Sequence, residues 1–401
     1  MMRGSLGAAA GLAGTAALVG GESQDGSGRP APAGEADRAY REQGEYEPGG
    51  GPHSHDSSGT VGDVDTSQFD PMKFLEEFDY GQVSTLPDGR TLREYAVVAL
   101  DKEIEIAPGV YFPAWTYNGQ VPGPTFRATA GDLMRVNFSN AGSHPHTIHF
   151  HGVHPAGMDG VFEIVEPGES FVYEFEAAPW GCHLYHCHTL PLKRHVHKGL
   201  YGAFIVDPPE GRPPAREMVM VMNGFSTEFN GENTFYAVNT VAFHHAKPEY
   251  HIKVKAGELQ RIYLVNLTEF DLINSFHLHA EMFRLYRTGT SMETFELTDT
   301  VMLCQGERAV LEFQYDTPGL YMFHAHQAEF AELGWMGFFE VMEEEAWRER
   351  SRPWNGRLEA GGRCSGYSVC CRWCCWLVCW RCSRRSGRRE FSRRRSRRLK
   401  S

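Results

Sequence analysis

The sequence predicts an all-β protein built from two tandem β-sandwiches, and three observations carry that prediction. First, short stretches alternate apolar and polar residues, as in Met134/Val136/Phe138 against Arg135/Asn137 and Phe171/Tyr173/Phe175 against Glu174/Glu176. Period two is the pattern of a half-buried strand, and no long helical period competes with it. Second, turn sequences such as Asn118-Gly119-Gln120-Val121-Pro122-Gly123-Pro124 separate the stretches, as in a sandwich of short strands. Third, the body repeats itself. Ala130-Gly131-Asp132 opens a strand leading to His146, His149 and His151, and Ala256-Gly257-Glu258 opens one leading to His277 and His279. Likewise Gly168-Glu169 leads through Pro179 to His186-Cys187-His188, and Gly306-Glu307 leads through Pro318 to His324-Ala325-His326.

Taken in order, residues 1–21 hold one Arg, Arg3, ahead of the small apolar run Leu6-Gly7-Ala8-Ala9-Ala10-Gly11-Leu12-Ala13-Gly14. That run is too short and Gly-rich for a membrane span and reads as an export signal, with a disordered N-terminus as the alternative. It resembles the second half of a twin-arginine signal whose first arginine is missing. Residues 22–85, rich in Gly, Ser, Pro and Asp, read as a disordered linker in which His53 and His55 are incidental. Residues 86–209 and 210–345 are the two repeats, joined around Pro208-Pro209-Glu210-Gly211.

The segment 346–401 stands apart. Seven of the ten cysteines and a run of Arg and Ser fall there without a recognisable folding pattern, so it is read as disordered or aberrant rather than as a zinc module. From Arg348 onward there are 17 Lys/Arg and 3 Asp/Glu, so the formal charge of −12 hides a strongly acidic body. An acidic body argues against nucleic acid as its partner. The body holds only Cys182, Cys187 and Cys304, which excludes a disulfide scaffold. Cys182 reads as a buried thiol, with a bridge to Cys304 as the alternative.

Each repeat carries two His-x-His pairs: His149-Phe150-His151 and His186-Cys187-His188 in the first, His277-Leu278-His279 and His324-Ala325-His326 in the second. On a strand such a pair aims both rings to one side, about 6–7 Å apart along the backbone. One pair is readily a structural feature. Four pairs at matching places in two repeats exceed what satisfied core histidines explain. At His186-Cys187-His188, strand alternation sends the sulfur to one face and both imidazoles to the other. Thiolate and imidazole are copper ligands, and a His₂Cys set makes a blue-copper electron-transfer centre, so the tripeptide suits two copper sites joined by one covalent link.

On these motifs the chain, over roughly residues 90–342, resembles the two-domain members of the multicopper oxidases, the laccase-like family. The resemblance implies two cupredoxin-like Greek-key sandwiches and four coppers per subunit. It assigns His149 and His277 to the type 2 copper, and His151, His186, His188, His279, His324 and His326 to the type 3 pair. The type 1 copper falls to His146, Cys187 and His195, with Leu200 at the axial place. In the second repeat the matching positions are Asn274, Ala325, Phe330 and Trp335, so only the first repeat keeps this site. His195 is preferred to His197 because it lies five residues before Leu200, the family's spacing. A non-ligating leucine should raise the copper potential relative to a methionine.

The implied reaction oxidises a small reducing substrate, phenol-like or a metal ion, one electron at a time and converts dioxygen to water. Asp159, in Gly157-Met158-Asp159-Gly160, matches the family's Asp-Gly after the first histidine motif and would carry protons; a turn aspartate before Gly is the plain alternative. The resemblance further implies a homotrimer with the three-copper cluster between subunits. Two other readings stay open. A copper nitrite reductase shares the two domains, the first-domain type 1 site and the trimer, but that family has an aspartate where this chain has His149 and lacks a counterpart of His188. The non-enzymatic reading is an exported copper-binding electron carrier. Cuprous-ion oxidation for metal resistance stays open as a role of the same enzyme, but there is no Met-rich insert to support it, the 14 methionines being scattered.

Overall fold

The computed structural model describes residues 64–66 and 70–350. The expected export signal, most of the expected linker and nearly all of the cysteine- and arginine-rich tail lie outside the described residues.

Order begins earlier than the sequence reading places it. Inside the stretch read as linker, Pro71–Glu76 forms helix α1, with Asp70 accepting from the Met72 amide and Pro71 at the first turn, where a missing N–H costs nothing. Leu75 sinks into the second sandwich at 1% exposure, and Glu76 pairs with Arg216. An anchored segment of this kind is not a free linker. At the other end, helix α4 (Glu344–Arg350) runs across the boundary expected at residue 345.

The first sandwich contains β1 (Gln82–Thr85), β2 (Thr91–Ala107), β3 (Val110–Tyr117), β4 (Phe126–Thr129), β5 (Leu133–Asn140), β6 (His149–Phe150), β7 (Ser170–Glu176), β8 (Gly181–His186), helix α2 (Leu192–His197) and β9 (Tyr201–Asp207). One sheet runs β1-β2-β5-β7 with β3 also on β2, and the facing sheet runs β4-β9-β8-β6. The second contains β10 (Arg216–Phe225), β11 (Phe235–Val238), β12 (Ile252–Lys255), β13 (Gln260–Asn266), β14 (Ile273–Leu278), β15 (Phe283–Arg287), β16 (Glu296–Thr298), β17 (Thr300–Cys304), β18 (Arg308–Phe313), β19 (Gly319–His324), helix α3 (Ala328–Glu332) and β20 (Met336–Met342). Its sheets run β11-β10-β13-β18-β15-β16 and β12-β20-β19-β14-β17.

Alternation decides which side chains meet. In β9, Phe204 and Val206 enter the first sandwich while Tyr201, Ala203 and Ile205 turn outward. In β10, Met218, Met220 and Met222 enter the second sandwich while Val219, Val221 and Phe225 turn outward. The two outward faces pack on each other, with Tyr263, Val265 and Val310, into a third apolar core between the sandwiches. Strands buried on both faces read as continuous apolar runs rather than alternating ones, which is why Glu-Met-Val-Met-Val-Met in β10 shows no period. The same junction holds an ion network: Arg127 reaches Asp207 at 2.8 Å and Glu217 at 2.6 Å, and Arg261 reaches Glu217 at 3.1 Å and Glu312 at 2.7 Å. No helix among the described residues is long and apolar enough to cross a membrane.

Candidate metal centres

The repeat shows itself first in the backbone. His149 stands opposite His186 across β6 and β8, and His277 stands opposite His324 across β14 and β19. Each pair of neighbouring strands therefore brings two His-x-His motifs to one sheet end. In the first sandwich His149, His151 and His186 gather with ligand atoms within 4.8 Å of one another, and His188 lies with its ring 5.3 Å from that of His149. In the second, His277, His279 and His324 gather in the same way, with His326 5.2 Å from His277. His151 Nε2 and His186 Nε2 are 3.3 Å apart, and His279 Nε2 and His324 Nε2 are 3.0 Å apart.

The backs of these rings are held. The Nδ1 atoms of His186 and His324 lie 2.9 and 2.6 Å from the carbonyls of Cys187 and Ala325. Those of His149 and His277 lie 2.7 and 3.0 Å from the carbonyls of Asp159 and Asp299. A carbonyl accepts, so Nδ1 is the donor and Nε2 is the lone pair facing the cluster, the arrangement that fixes tautomer and orientation in a metal-binding imidazole. Burial first, then the neighbouring His186 and His149, lowers His151 to about 3, and burial lowers His186 to about 4. Both rings are thus neutral donors. Asp159 also places Oδ1 3.2 Å from His149 Nδ1 and 3.7 Å from His154 Nε2, so its side chain stands behind the His149 ring. Gly160 permits that approach: its φ is +72°, and a Cβ there would fall 2.0 Å from the Ile148 carbonyl.

On the opposite face of β8, the sulfur of Cys187 lies 3.3 Å from His195 Nδ1 and 4.0 Å from His146 Nδ1, and the two nitrogens are 3.3 Å apart. The point equidistant from all three atoms is about 2.1 Å from each, the length of an imidazole–metal bond. His₂Cys in a triangle of this size is a trigonal copper donor set. All three residues are buried, with Leu200 at 0% exposure beside them. Burial lowers His146 to about 3 and His195 to about 4, and pushes the Cys187 thiol up. A buried thiol needs a cation to release its proton. The Thr147 amide donates to Cys187 Sγ at 3.4 Å.

His197 is elsewhere. Its Nε2 accepts from the Ser226 amide at 3.0 Å and its ring packs on Phe112 and Phe270. Helix α2 turns 195 and 197 to different sides, which period-two reading cannot see. Cys182 is a free, fully buried thiol pushed up to about 12 by burial, and Cys304 is free and exposed, so the alternative bridge is not formed.

Sequence reasoning missed three residues. Thr147 and Ser275 each sit two positions before the first cluster histidine, and their hydroxyls accept from the His188 and His326 amides at 3.0 and 2.8 Å; that shared offset was a readable signal. Asp299 is the second repeat's counterpart of Asp159 in holding a ring, but it follows its histidine motif after a longer interval, and only the β14–β17 pairing brings it back.

Known proteins resemble the chain across both sandwiches. Sequence models described as multicopper oxidase match residues 100–211 and 212–345. A solved structure titled as that of a multicopper oxidase is 57% identical, with a TM-score of 0.67 over 69% of this chain and 98% of that one. A copper-containing nitrite reductase of Neisseria gonorrhoeae is 31% identical over 249 residues, 57% of this chain, and the chain spans 62% of that reductase. L-ascorbate oxidase of Cucumis sativus is 44% identical over 106 residues, 24% of this chain and 17% of that protein.

Proposed function

This chain belongs to the multicopper oxidase family, copper-binding oxidoreductases, and from that premise we propose that it oxidises a small reducing substrate in single-electron steps and reduces dioxygen to water. The observation that carries the reading is the pairing of one buried His₂Cys triangle with two four-histidine groups. An electron carrier would need only the triangle.

In this reading His146, Cys187 and His195 would hold the type 1 copper, with the non-ligating Leu200 packed beside them. His149 and His277 would hold the type 2 copper, and His151, His186, His188, His279, His324 and His326 would hold the type 3 pair, four coppers per subunit. Bound copper would supply electron storage at the triangle and multi-electron delivery to dioxygen at the eight-histidine cluster. The chain's own part is connection and proton supply. Cys187 is covalently continuous with His186 and His188, so the electron-entry set and the cluster share one tripeptide. The carbonyls of Asp159 and Asp299 hold His149 and His277 with Nε2 facing inward. The Asp159 carboxylate, against both His149 and His154, is placed to hold and pass a proton.

Each chain offers two half-clusters, and among the described residues the ring contacts of each four-histidine group stay within its own sandwich. Complementary halves on one protomer favour head-to-tail cyclic closure, and we take the assembly to be a homotrimer with the cluster between subunits. The N-terminal run of residues 1–21 supports an exported enzyme.

The 31% identity to a nitrite reductase favours one rival reading, a single copper between subunits acting on nitrite. Copper stoichiometry, optical and paramagnetic spectra, and oxygen uptake with a phenol decide between them. Four coppers per chain, a strong blue band, a near-ultraviolet type 3 band and oxygen consumption are expected. Two coppers with nitrite turnover would overturn the proposal.

A further inference from the structure

The type 1 histidines expose no free edge: His146 and His195 are 0% and 3% exposed. What covers them is Trp115, whose ring lies 5.3 Å from that of His146 and 4.8 Å from that of His195. Over the same indole stand two cations, Arg194 Cζ at 5.1 Å and Lys198 Nζ at 5.7 Å. Lys198 is buried, with its ammonium also over Phe112 and Phe229, and burial draws it down to about 8. Arg194 is exposed.

Neither cation has an ion-pair partner among the described residues, whereas most of the described arginines do. Asp101 acts on Lys198 with opposite sign, and its Oδ2 is already engaged by the Ser143 amide at 3.2 Å. Lys193, on the same helix, turns instead to Phe270. The His144 ring also packs on Trp115, at 4.5 Å. Two cations without an ion-pair partner among the described residues thus stand over an indole that packs on both electron-entry histidines and is itself 5% exposed.

We propose that exposed Arg194, with the buried charge of Lys198 behind it, makes an anion-selecting entry site beside Trp115, so that the reductant is a phenol bearing a carboxylate rather than a metal cation. This rests on the oxidase reading above and narrows its substrate. An unpaired guanidinium favours a carboxylate by charge-assisted hydrogen bonding, while a ferrous or cuprous ion meets net repulsion at the same place. Trp115, 4.8 Å from the His195 ring, stands between the docked ring and that ligand. Each carboxylated phenol loses one electron and its hydroxyl proton, giving a phenoxyl radical. Four such losses supply the four electrons and four protons that turn one dioxygen into two waters.

The test compares 4-hydroxycinnamate with its methyl ester, and ferrous ion with both, on the copper-loaded protein. The non-oxidisable 4-methoxycinnamate serves as a calorimetric binding probe and competitive inhibitor. The acid is expected to have the higher kcat/KM, falling with ionic strength, while the ester's stays flat. Arg194→Gln is expected to lower the acid-to-ester ratio and to weaken 4-methoxycinnamate binding about threefold to fivefold, the range of an exposed ion pair. Should that variant fail to load copper, the ionic-strength contrast on the unaltered protein decides. A ratio near one with no salt dependence, or a preference for ferrous ion, overturns the proposal while leaving the oxidase reading intact. Absence of oxygen uptake with every reductant on a fully loaded protein overturns the oxidase reading, and this proposal with it.

Discussion

The Cys187 amide donates to the Leu200 carbonyl at 2.9 Å, and the Ala325 amide donates to the Trp335 carbonyl at 3.2 Å. One step further, the Leu200 amide reaches His195 O at 3.3 Å and the Trp335 amide reaches Phe330 O at 2.9 Å. The two sandwiches therefore keep one backbone frame around a donor set that survives in only one of them. Where the first has His146, Cys187, His195 and Leu200, the second has Asn274, Ala325, Phe330 and Trp335, all buried. Trp335 and Phe330 fill the volume and Asn274 is satisfied by Thr268 at 2.9 Å.

That frame separates His195 from His197. His195→Ala is expected to abolish the blue band, since it removes the corner that both 3.3 Å edges of the triangle share. His197→Ala should keep the band and cost stability by about 1–3 kcal/mol, because it orphans the buried Ser226 amide. Optical titration and urea unfolding read the two outcomes; loss of the band in His197→Ala alone would reverse the assignment.

Leu200→Met should lower the type 1 potential without loss of copper. A weak axial thioether replaces a side chain with no lone pair, in a position already sealed at 0% exposure. Redox titration of the blue band checks the direction; an unchanged or higher potential would contradict it.

Asp159→Asn should slow steady-state oxygen uptake about a hundredfold, the scale of a positioned proton-transfer group, while anaerobic bleaching of the blue band by a reductant proceeds at its normal rate. The His149 contact is to the Asp159 carbonyl at 2.7 Å as well as to its side chain, so the ring should stay in place. Equal slowing of both phases would assign Asp159 a structural part instead.

Glu217 ties the sandwiches together. Burial pushes its carboxyl up, but the hydrogen bonds and charge of Arg127, with Tyr263 and Arg261, outweigh that and hold it below the usual range. Glu217→Ala removes one of two carboxylate partners from each of Arg127 and Arg261, which keep Asp207 and Glu312, and should destabilise the fold by about 1.5–3 kcal/mol, the range of hydrogen bonds to charged groups, read as a lower denaturant midpoint with unchanged copper spectra.

Stability should fall as pH drops from 7 toward 4. Burial lowers His197 and His244 to about 4, and burial with its neighbour His244 lowers His245 to about 3. The unfolded chain, titrating near 6.5, takes up protons first, so stability present above that value is lost on acidification by up to about 1.4 kcal/mol per pH unit for each histidine. Denaturation series at several pH values measure the slope; a flat profile between 7 and 5 would argue that these rings reach solvent.

The sequence by itself determined the all-β class, the duplication, the four His-x-His pairs and the loss of one His₂Cys set. Each is a local pattern, a period of two or a fixed offset, and short-range patterns survive without coordinates. It misplaced the start of order, because a six-residue helix anchored by Leu75 and Glu76 has no period to read. Only the tertiary structure decided the rest. The turn of α2 chose between His195 and His197. Strand pairing brought Asp299 to His277 across an interval unlike that of Asp159 and His149. Packing set Trp115, Arg194 and Lys198, from β3 and the end of α2, over one pair of imidazoles, and contacts between residues so far apart along a chain are settled by how sheets face each other, which no local pattern encodes.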